Sequence, residues 1–279
     1  MRSSKRWGAL AAGLAIAAAT FTATTATAQT VPRPSCGNSV TVWGVEQNGN
    51  LFEYRHLAPE TGDHNWGTKR YIGAGWNGTV LAGYGKTFYF VPEGTGELRR
   101  YQWKGEEWAT FEGEQYEVIG QGFDRYIGEG KTLAAVRDRL YGIDDTGDLR
   151  VYKQINGEWD NADGEVIGTG WDVFDRVVPS SDEAFYAFDS NGDAYLYEYN
   201  SYTKRWDTQG LRIDSGWGDF TNIATAGSGV FYATTTDGLL LWYHYYAGWA
   251  NDGIPRQIGE GWNDTTILLN VGACAPHPG

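Results

Sequence analysis

Several things are scarce in this chain. Methionine occurs only at position 1, so the folded part lacks that flexible core filler. There are two cysteines and four histidines (His56, His64, His244 and His277) among 279 residues. None of these sits in a zinc-binding or nucleophile motif, so no metal or covalent chemistry is indicated. Positive charge is short: 22 Lys and Arg stand against 35 Asp and Glu, a formal net charge of −13. That balance repels phosphate backbones and anionic bilayers, which argues against nucleic acid as a partner. No apolar run after Ala19 is long enough to cross a membrane, and membrane insertion is not expected. No stretch beyond the first residues shows a helical period.

The start of the chain reads as a leader. Arg2, Lys5 and Arg6 precede an apolar stretch from Ala9 to Ala19, followed by Ala26-Thr27-Ala28. Basic start, short apolar run and small-residue cleavage site describe a secretory signal peptide over residues 1–28. Residues 29–279 are then expected as a single extracellular domain. Losing the three leader cations takes the net charge from −13 to −16.

Glycine and aromatics are plentiful: 39 Gly, 13 Trp, 18 Tyr and 11 Phe. They are ordered. The chain writes IGAGW (72–76), IGQGF (119–123), IGTGW (167–171), IDSGW (213–217) and IGEGW (258–262). The closing aromatics are Trp76, Phe123, Trp171, Trp217 and Trp262, spaced by 47, 48, 46 and 45 residues. A steady period in this range marks units too small to bury their own cores. Each unit also carries two β-rich runs around a Gly turn. Examples are TVWGV and LFEYR around EQNGN, and FYAF and AYLYEY around DSNGD. Such runs read as hairpin strands. Adding one strand after each Gly-x-Gly-aromatic step and one before the next gives four strands per period.

The expected fold is therefore an all-β five-bladed β-propeller of four-stranded antiparallel blades. The first unit lacks its leading strand, and a spare strand, TTILLNVGA (265–273), ends the last one. That C-terminal strand should join the first blade and close the ring, hiding two sheet edges. Cys36 precedes the first hairpin and Cys274 follows the last strand. A Cys36–Cys274 disulfide would stand in for the missing loop, and export makes it chemically reasonable.

No constellation breaks the repeat as a catalytic site would. Glu106 and Glu107 are adjacent carboxylates, but neighbours in a strand or turn point in different directions. DSNGD has Asp189, Asn191 and Asp193 at calcium-loop spacing, but lacks the glycine and glutamate positions of such a loop. It reads as a hairpin turn. The chain is not expected to be an enzyme, nor to need a cofactor or metal.

What recurs is aromatic and polar. A second Trp lies upstream of each Gly-x-Gly step: Trp66, Trp108, Trp159, Trp206 and Trp249. The position after the closing aromatic is Asn77, Asp124, Asp172, Gly218 (then Asp219) and Asn263. A Trp face beside an amide or carboxylate suits neutral sugar, one stacking on C–H groups and the other bonding hydroxyls. The same residues also suit packing between blades and bonding of turn backbones. Both roles stay open at this point.

Over roughly residues 37–273 the pattern resembles the tachylectin-type lectins. The pieces that carry the likeness are IGAGW, IGTGW and IGEGW, the strands VWGV and LYGI, and DHNW at 63–66. The resemblance implies a five-bladed propeller that binds N-acetylated hexoses (GlcNAc or GalNAc) at several equivalent sites between blades. It adds Asp63 and Asn65 to the candidates, through the step before Trp66. The chain departs from the pattern at Phe123, which replaces Trp, and at Asp214-Ser215. Only Trp66 has an Asn before it. The expected function is a secreted, non-catalytic lectin, a monomer with several sites for glycans bearing N-acetylhexosamine. The alternative is a protein-binding or inhibitor scaffold using the propeller face.

Overall fold

A computed structural model describes residues 33–155 and 158–275. The leader expected over residues 1–28 lies outside the described residues. β-branched and aromatic runs form strands wherever the repeat put them. In chain order these are β1 (Val40–Glu46), β2 (Leu51–His56), β3 (Arg70–Gly73), β4 (Gly78–Ala82), β5 (Thr87–Pro92), β6 (Leu98–Gln102) and β7 (Glu117–Gly120). They continue as β8 (Thr132–Val136), β9 (Arg139–Ile143), β10 (Leu149–Ile155), β11 (Glu158–Trp159), β12 (Glu165–Gly168), β13 (Phe174–Pro179) and β14 (Ala184–Asp189). The last are β15 (Ala194–Asn200), β16 (Arg205–Asp214), β17 (Phe220–Gly227), β18 (Val230–Thr235), β19 (Leu240–His244), β20 (Arg256–Gly259) and β21 (Thr265–Leu269).

The strands make five antiparallel sheets. Their orders are β21-β1-β2-β3, β4-β5-β6-β7, β8-β9-β10-β12, β13-β14-β15-β16 and β17-β18-β19-β20. These are blades one to five of a propeller. In blade three the outermost strand is broken, and both β11 and β12 pair with β10. The innermost strands β4, β8, β13, β17 and β21 touch in a ring and line a central channel of about 340 Å³.

Closure follows the sequence pattern. The C-terminal β21 pairs antiparallel with β1, from Val42↔Leu269 to Glu46↔Thr265. Beyond it, Cys36 and Cys274 form a disulfide, and Ser35 and Ala275 exchange backbone hydrogen bonds. Each of the five apolar cores draws on two neighbouring blades. One joins Trp43 and Leu51 of blade one to Phe88 and Phe90 of blade two. Another joins Tyr186 and Phe188 of blade four to Phe231 and Ala233 of blade five. A single blade has no core of its own, which is why the ring must close.

Candidate functional site

The Gly-x-Gly-aromatic step is a clasp. Its second glycine adopts positive φ in every unit: Gly75 (88°), Gly122 (75°), Gly170 (74°), Gly216 (87°) and Gly261 (77°). That left-handed residue is cheap only for glycine. It reverses the chain so that the next backbone N–H meets the carbonyl of the hairpin-turn glycine in the same blade. The five bonds are Trp76 to Gly49 (3.0 Å), Phe123 to Gly96 (3.1 Å), Trp171 to Gly147 (3.0 Å), Trp217 to Gly192 (2.9 Å) and Trp262 to Gly238 (3.0 Å). The first glycine lies against the aromatic ring: a Cβ on Gly259 would fall 2.6 Å from Trp262 Nε1. In unit four this glycine is Asp214, and its carboxylate instead accepts from Trp217 Nε1 at 3.1 Å.

The Asn or Asp that follows packs on the same turn. A Cβ on Gly49 would meet Asn77 Oδ1 at 2.7 Å, one on Gly96 would meet Asp124 Oδ1 at 2.9 Å, and one on Gly238 would meet Asn263 Oδ1 at 2.9 Å. Asp172 covers Gly147 in the same way. In unit four the backbone of Gly218 takes that place over Gly192, and Asp219 is exposed. Trp76, Asn77 and Asn263 do meet in one place. With Glu46, Glu93, Asn222 and Asp264 they line a polar hollow of about 290 Å³ between blades one, two and five.

The two Trp sets meet between blades. Each closing aromatic packs on the upstream Trp of the next blade. The ring centroids are 5.3 Å apart for Trp76–Trp108, 6.2 Å for Phe123–Trp159, 5.3 Å for Trp171–Trp206, 5.4 Å for Trp217–Trp249 and 5.9 Å for Trp262–Trp66. The closing aromatics are buried, at 3–8 % exposure, and the upstream Trp residues are half-buried. Four upstream indoles donate across the blade boundary to an Ile carbonyl: Trp66 to Ile258 (2.5 Å), Trp159 to Ile119 (2.5 Å), Trp206 to Ile167 (3.0 Å) and Trp249 to Ile213 (3.1 Å). These side chains therefore hold the ring together as well as facing its crevices.

A third aromatic completes each group. Tyr54, Tyr101, Tyr152, Tyr197 and Tyr243 lie 4.6, 4.8, 5.2, 4.6 and 4.8 Å from Trp262, Trp76, Phe123, Trp171 and Trp217. Each stands three residues after the first residue of its strand (Leu51, Leu98, Leu149, Ala194, Leu240). That recurrence is readable, but it sits inside runs whose alternation is already explained by the strand. Burial raises the hydroxyl pKa of Tyr101, Tyr152, Tyr197 and Tyr243, so all four stay protonated donors at neutral pH.

The five groups are not equal. Tyr54, Tyr101, Tyr197 and Tyr243 are half-buried, whereas Tyr152 is only 3 % exposed. Tyr126, itself buried, lies against Phe123 and Tyr152, and the two tyrosine hydroxyls are 2.5 Å apart. Phe174 and Phe220 take the same place beside Trp171 and Trp217, so what sets this space apart is that Tyr126 and Tyr152 are both buried, which seals it. Asp63, on the loop before Trp66, is exposed and accepts from Arg256 of blade five at 2.9 Å. Asn65 is exposed, and its carbonyl accepts from Leu57 N at 2.8 Å.

At the ends of the blades away from the Gly turns, three inter-blade spaces widen into clefts. The cleft between blades one and two holds about 1120 Å³, that between two and three about 750 Å³, and that between four and five about 600 Å³. Each borders a hairpin residue with positive φ, namely Lys86 (64°), Arg137 (54°) and Ser228 (49°). The space between blades five and one is filled by the 57–65 loop, where Pro59 accepts from Trp242 Nε1 at 3.0 Å. Asp189, in the calcium-like turn, accepts from the backbone N–H groups of Asn191 (2.9 Å) and Asp193 (3.0 Å), as a hairpin turn requires.

Comparison with solved structures finds several chains at low identity. A triple arginine mutant of AofleA from Arthrobotrys oligospora is 13 % identical, with 82 % of this chain and 72 % of that one covered and a TM-score of 0.44. SapL1 lectin, in complex with alpha methyl fucoside, is 15 % identical over 85 % of this chain and 90 % of that one, with a TM-score of 0.41. At this level of likeness neither bears on function. Among curated protein sequences there is no significant match. The Tachylectin family model matches residues 44–267, which takes in all five closing aromatics, and the chain belongs to that family of carbohydrate-binding lectins.

Proposed function

We propose that the protein is a secreted lectin that binds N-acetylated hexoses between its blades. It acts there without catalysis or cofactor, as a monomer whose valency comes from the repeat. Family membership supports carbohydrate binding as the class. The observation that carries the site is the recurrence of one aromatic group in four inter-blade spaces, each with a half-exposed Tyr and a half-exposed Trp. The four pairs are Tyr54 with Trp66, Tyr101 with Trp108, Tyr197 with Trp206 and Tyr243 with Trp249.

A pyranose ring stacks its C–H face on such rings, and the phenol hydroxyl bonds a sugar hydroxyl. The buried partners Trp76, Trp171, Trp217 and Trp262 set the orientation of these rims. Asp63, Asn65, Asn77, Asp124, Asp172, Asp219 and Asn263 supply polar groups near the crevice edges; of these Asn77, Asp124, Asp172 and Asn263 are partly engaged with turn glycines. Trp159, beside the sealed Tyr152, is the weakest candidate. One such contact is weak, and four on one rigid ring raise avidity on a surface dense in glycans. A leader over residues 1–28 and the Cys36–Cys274 disulfide favour an extracellular setting.

The test is titration with GlcNAc and GalNAc, read by Trp fluorescence, on the protein and on Tyr101→Ala, Tyr197→Ala and Tyr243→Ala. Saturable quenching that weakens stepwise with each loss supports the reading. Silence toward N-acetylhexosamines and other hexoses, with a basic protein captured instead, would favour the scaffold alternative.

A further inference from the structure

The charge in the cleft between blades one and two runs against the rest of the molecule. Five cations line it, Arg55, Lys69, Arg70, Lys86 and Lys104, in a chain of formal charge −13. The three carboxylates on its walls are Glu53, Glu106 and Glu107. Glu53 is 7 % exposed and already neutralised, since Arg70 donates to it through Nε (2.9 Å) and through a second nitrogen. Arg70 also donates to the carbonyl of Gly105 at 2.6 Å, which ties the 104–107 hairpin to blade one. Lys69 is occupied as well, with Glu46 at 3.0 Å and the Phe52 ring at 3.8 Å.

Three exposed cations then remain without a carboxylate partner among the described residues. Arg55 donates only to the hydroxyl of Ser39, at 3.0 Å. Lys86 sits at the positive-φ hairpin of β4–β5, and its Nζ lies 3.9 Å from where a Cβ on Gly105 would be. Lys104 stands on that same Gly105 hairpin. The other clefts differ in having their cations paired: that between blades two and three carries Arg100 and Arg137, bound to Glu117 and Asp182, and that between blades four and five is walled by Leu196, Leu211, Tyr245 and Tyr246, with the same Arg137 and with Glu198.

We propose that the cleft between blades one and two is a separate subsite for acidic saccharides, their carboxylate or sulfate groups held by Arg55, Lys86 and Lys104. The proposal rests on the lectin reading and adds a ligand class to it. A cavity of about 1120 Å³ accommodates more than one sugar ring. Arg55 offers a planar fork to a carboxylate or sulfate, and the two lysines act as point charges. Glu106 and Glu107 flank the mouth and oppose the ligand. They keep affinity modest and make it depend on salt.

The experiment measures binding of polygalacturonate, a sulfated polysaccharide and neutral chitobiose, at low and high salt. The proteins are wild type, Lys86→Ala/Lys104→Ala and Glu106→Gln/Glu107→Gln. The expected result is acidic-saccharide binding that weakens with salt. It should fall roughly ten-fold in the lysine variant and strengthen in the glutamine variant. Chitobiose binding should move in neither. The carboxylated and sulfated arms show which anion the cleft prefers. Acidic-saccharide binding that ignores both variants overturns the proposal while the neutral-sugar site stands. Loss of chitobiose binding in wild type, with acidic binding intact and variant-sensitive, overturns the neutral-sugar reading and leaves the cleft.

Discussion

The indole nitrogen of Trp206 in blade four lies 3.0 Å from the carbonyl oxygen of Ile167 in blade three, to which it donates. The same bond recurs at Trp66, Trp159 and Trp249, whereas Trp108 makes none among the described residues. Trp206→Phe keeps most of the ring contact and deletes the donor, leaving the Ile167 carbonyl short of a partner. It should cost about 1–2 kcal/mol. Trp108→Phe deletes no such bond and should cost less. Trp206→Ala should cost about 3–5 kcal/mol through the cavity left. Urea denaturation of the three variants checks the order. Equal losses for the two Phe variants would mean the bond contributes nothing.

The Cys36–Cys274 bridge closes a loop of 238 positions around the ring. Loop entropy puts its contribution at about 3–5 kcal/mol, an upper figure because the β21–β1 ladder also holds the ends. Cys36→Ser/Cys274→Ser should lower the melting temperature and leave near-neutral sugar binding intact. Hydrogen exchange should show β21 and β1 opening first, ahead of β13–β16. Uniform loss of protection across all blades would contradict the ring-latch role.

Two buried histidines set a pH window. The Nε2 of His56 lies 2.8 Å from the Asp63 carbonyl, which can only accept, so that nitrogen carries the hydrogen. Its Nδ1 then accepts from the Tyr232 hydroxyl at 2.7 Å. Burial lowers its pKa below the ordinary 6.5, and the same cause lowers that of His244, whose Nε2 is buried without a partner. In the unfolded chain both take a proton near 6.5; in the fold they refuse it until lower pH. Stability is therefore complete above about pH 6.5 and falls as pH drops below it, by up to about 1.4 kcal/mol per pH unit for each group. Melting temperatures between pH 7.5 and 5 check this. No decline across that window would show that neither histidine needs to stay neutral.

The ring, its five blades and the closing strand were legible because period-two runs, turn glycines and a steady repeat all report backbone geometry. The bridge was legible because both cysteines flank the same gap. How deeply the closing aromatics are packed was not, since burial at 3–8 % is a property of the neighbouring blade. Asn77 and Asn263 look like sugar ligands in one dimension, yet each Oδ1 covers a glycine far back in its own unit, Gly49 and Gly238. Tyr101 and its equivalents recur as regularly as the Trp residues, but a strand run conceals them. Tyr126 stands three residues after its closing aromatic, where units three and four carry Phe174 and Phe220, so the repeat marks the position but not the burial of Tyr126 or its hydroxyl contact with Tyr152. The clefts depend on hairpin length and on which charges face inward, and neither follows from spacing.

On the proposed reading, Tyr126 should also set the number of working sites. It is 1 % exposed, its hydroxyl meets that of Tyr152, and it packs on Phe123 where the other units have Trp. A sugar there would have to displace a buried ring and break a buried hydroxyl pair, which costs more than one weak contact returns. Calorimetry should therefore saturate at about four equivalents of monosaccharide per chain, the count of half-exposed Tyr–Trp pairs. Tyr126→Ala should open the fifth space and raise the stoichiometry, at a stability cost of about 3–5 kcal/mol. Tyr126→Phe removes only the hydroxyl pair and should leave four. A wild-type count of five would mean that Tyr126 swings aside readily. A count unchanged in a folded Tyr126→Ala protein would mean that Phe123, rather than Tyr126, silences the site, and Phe123→Trp in that background should then restore it.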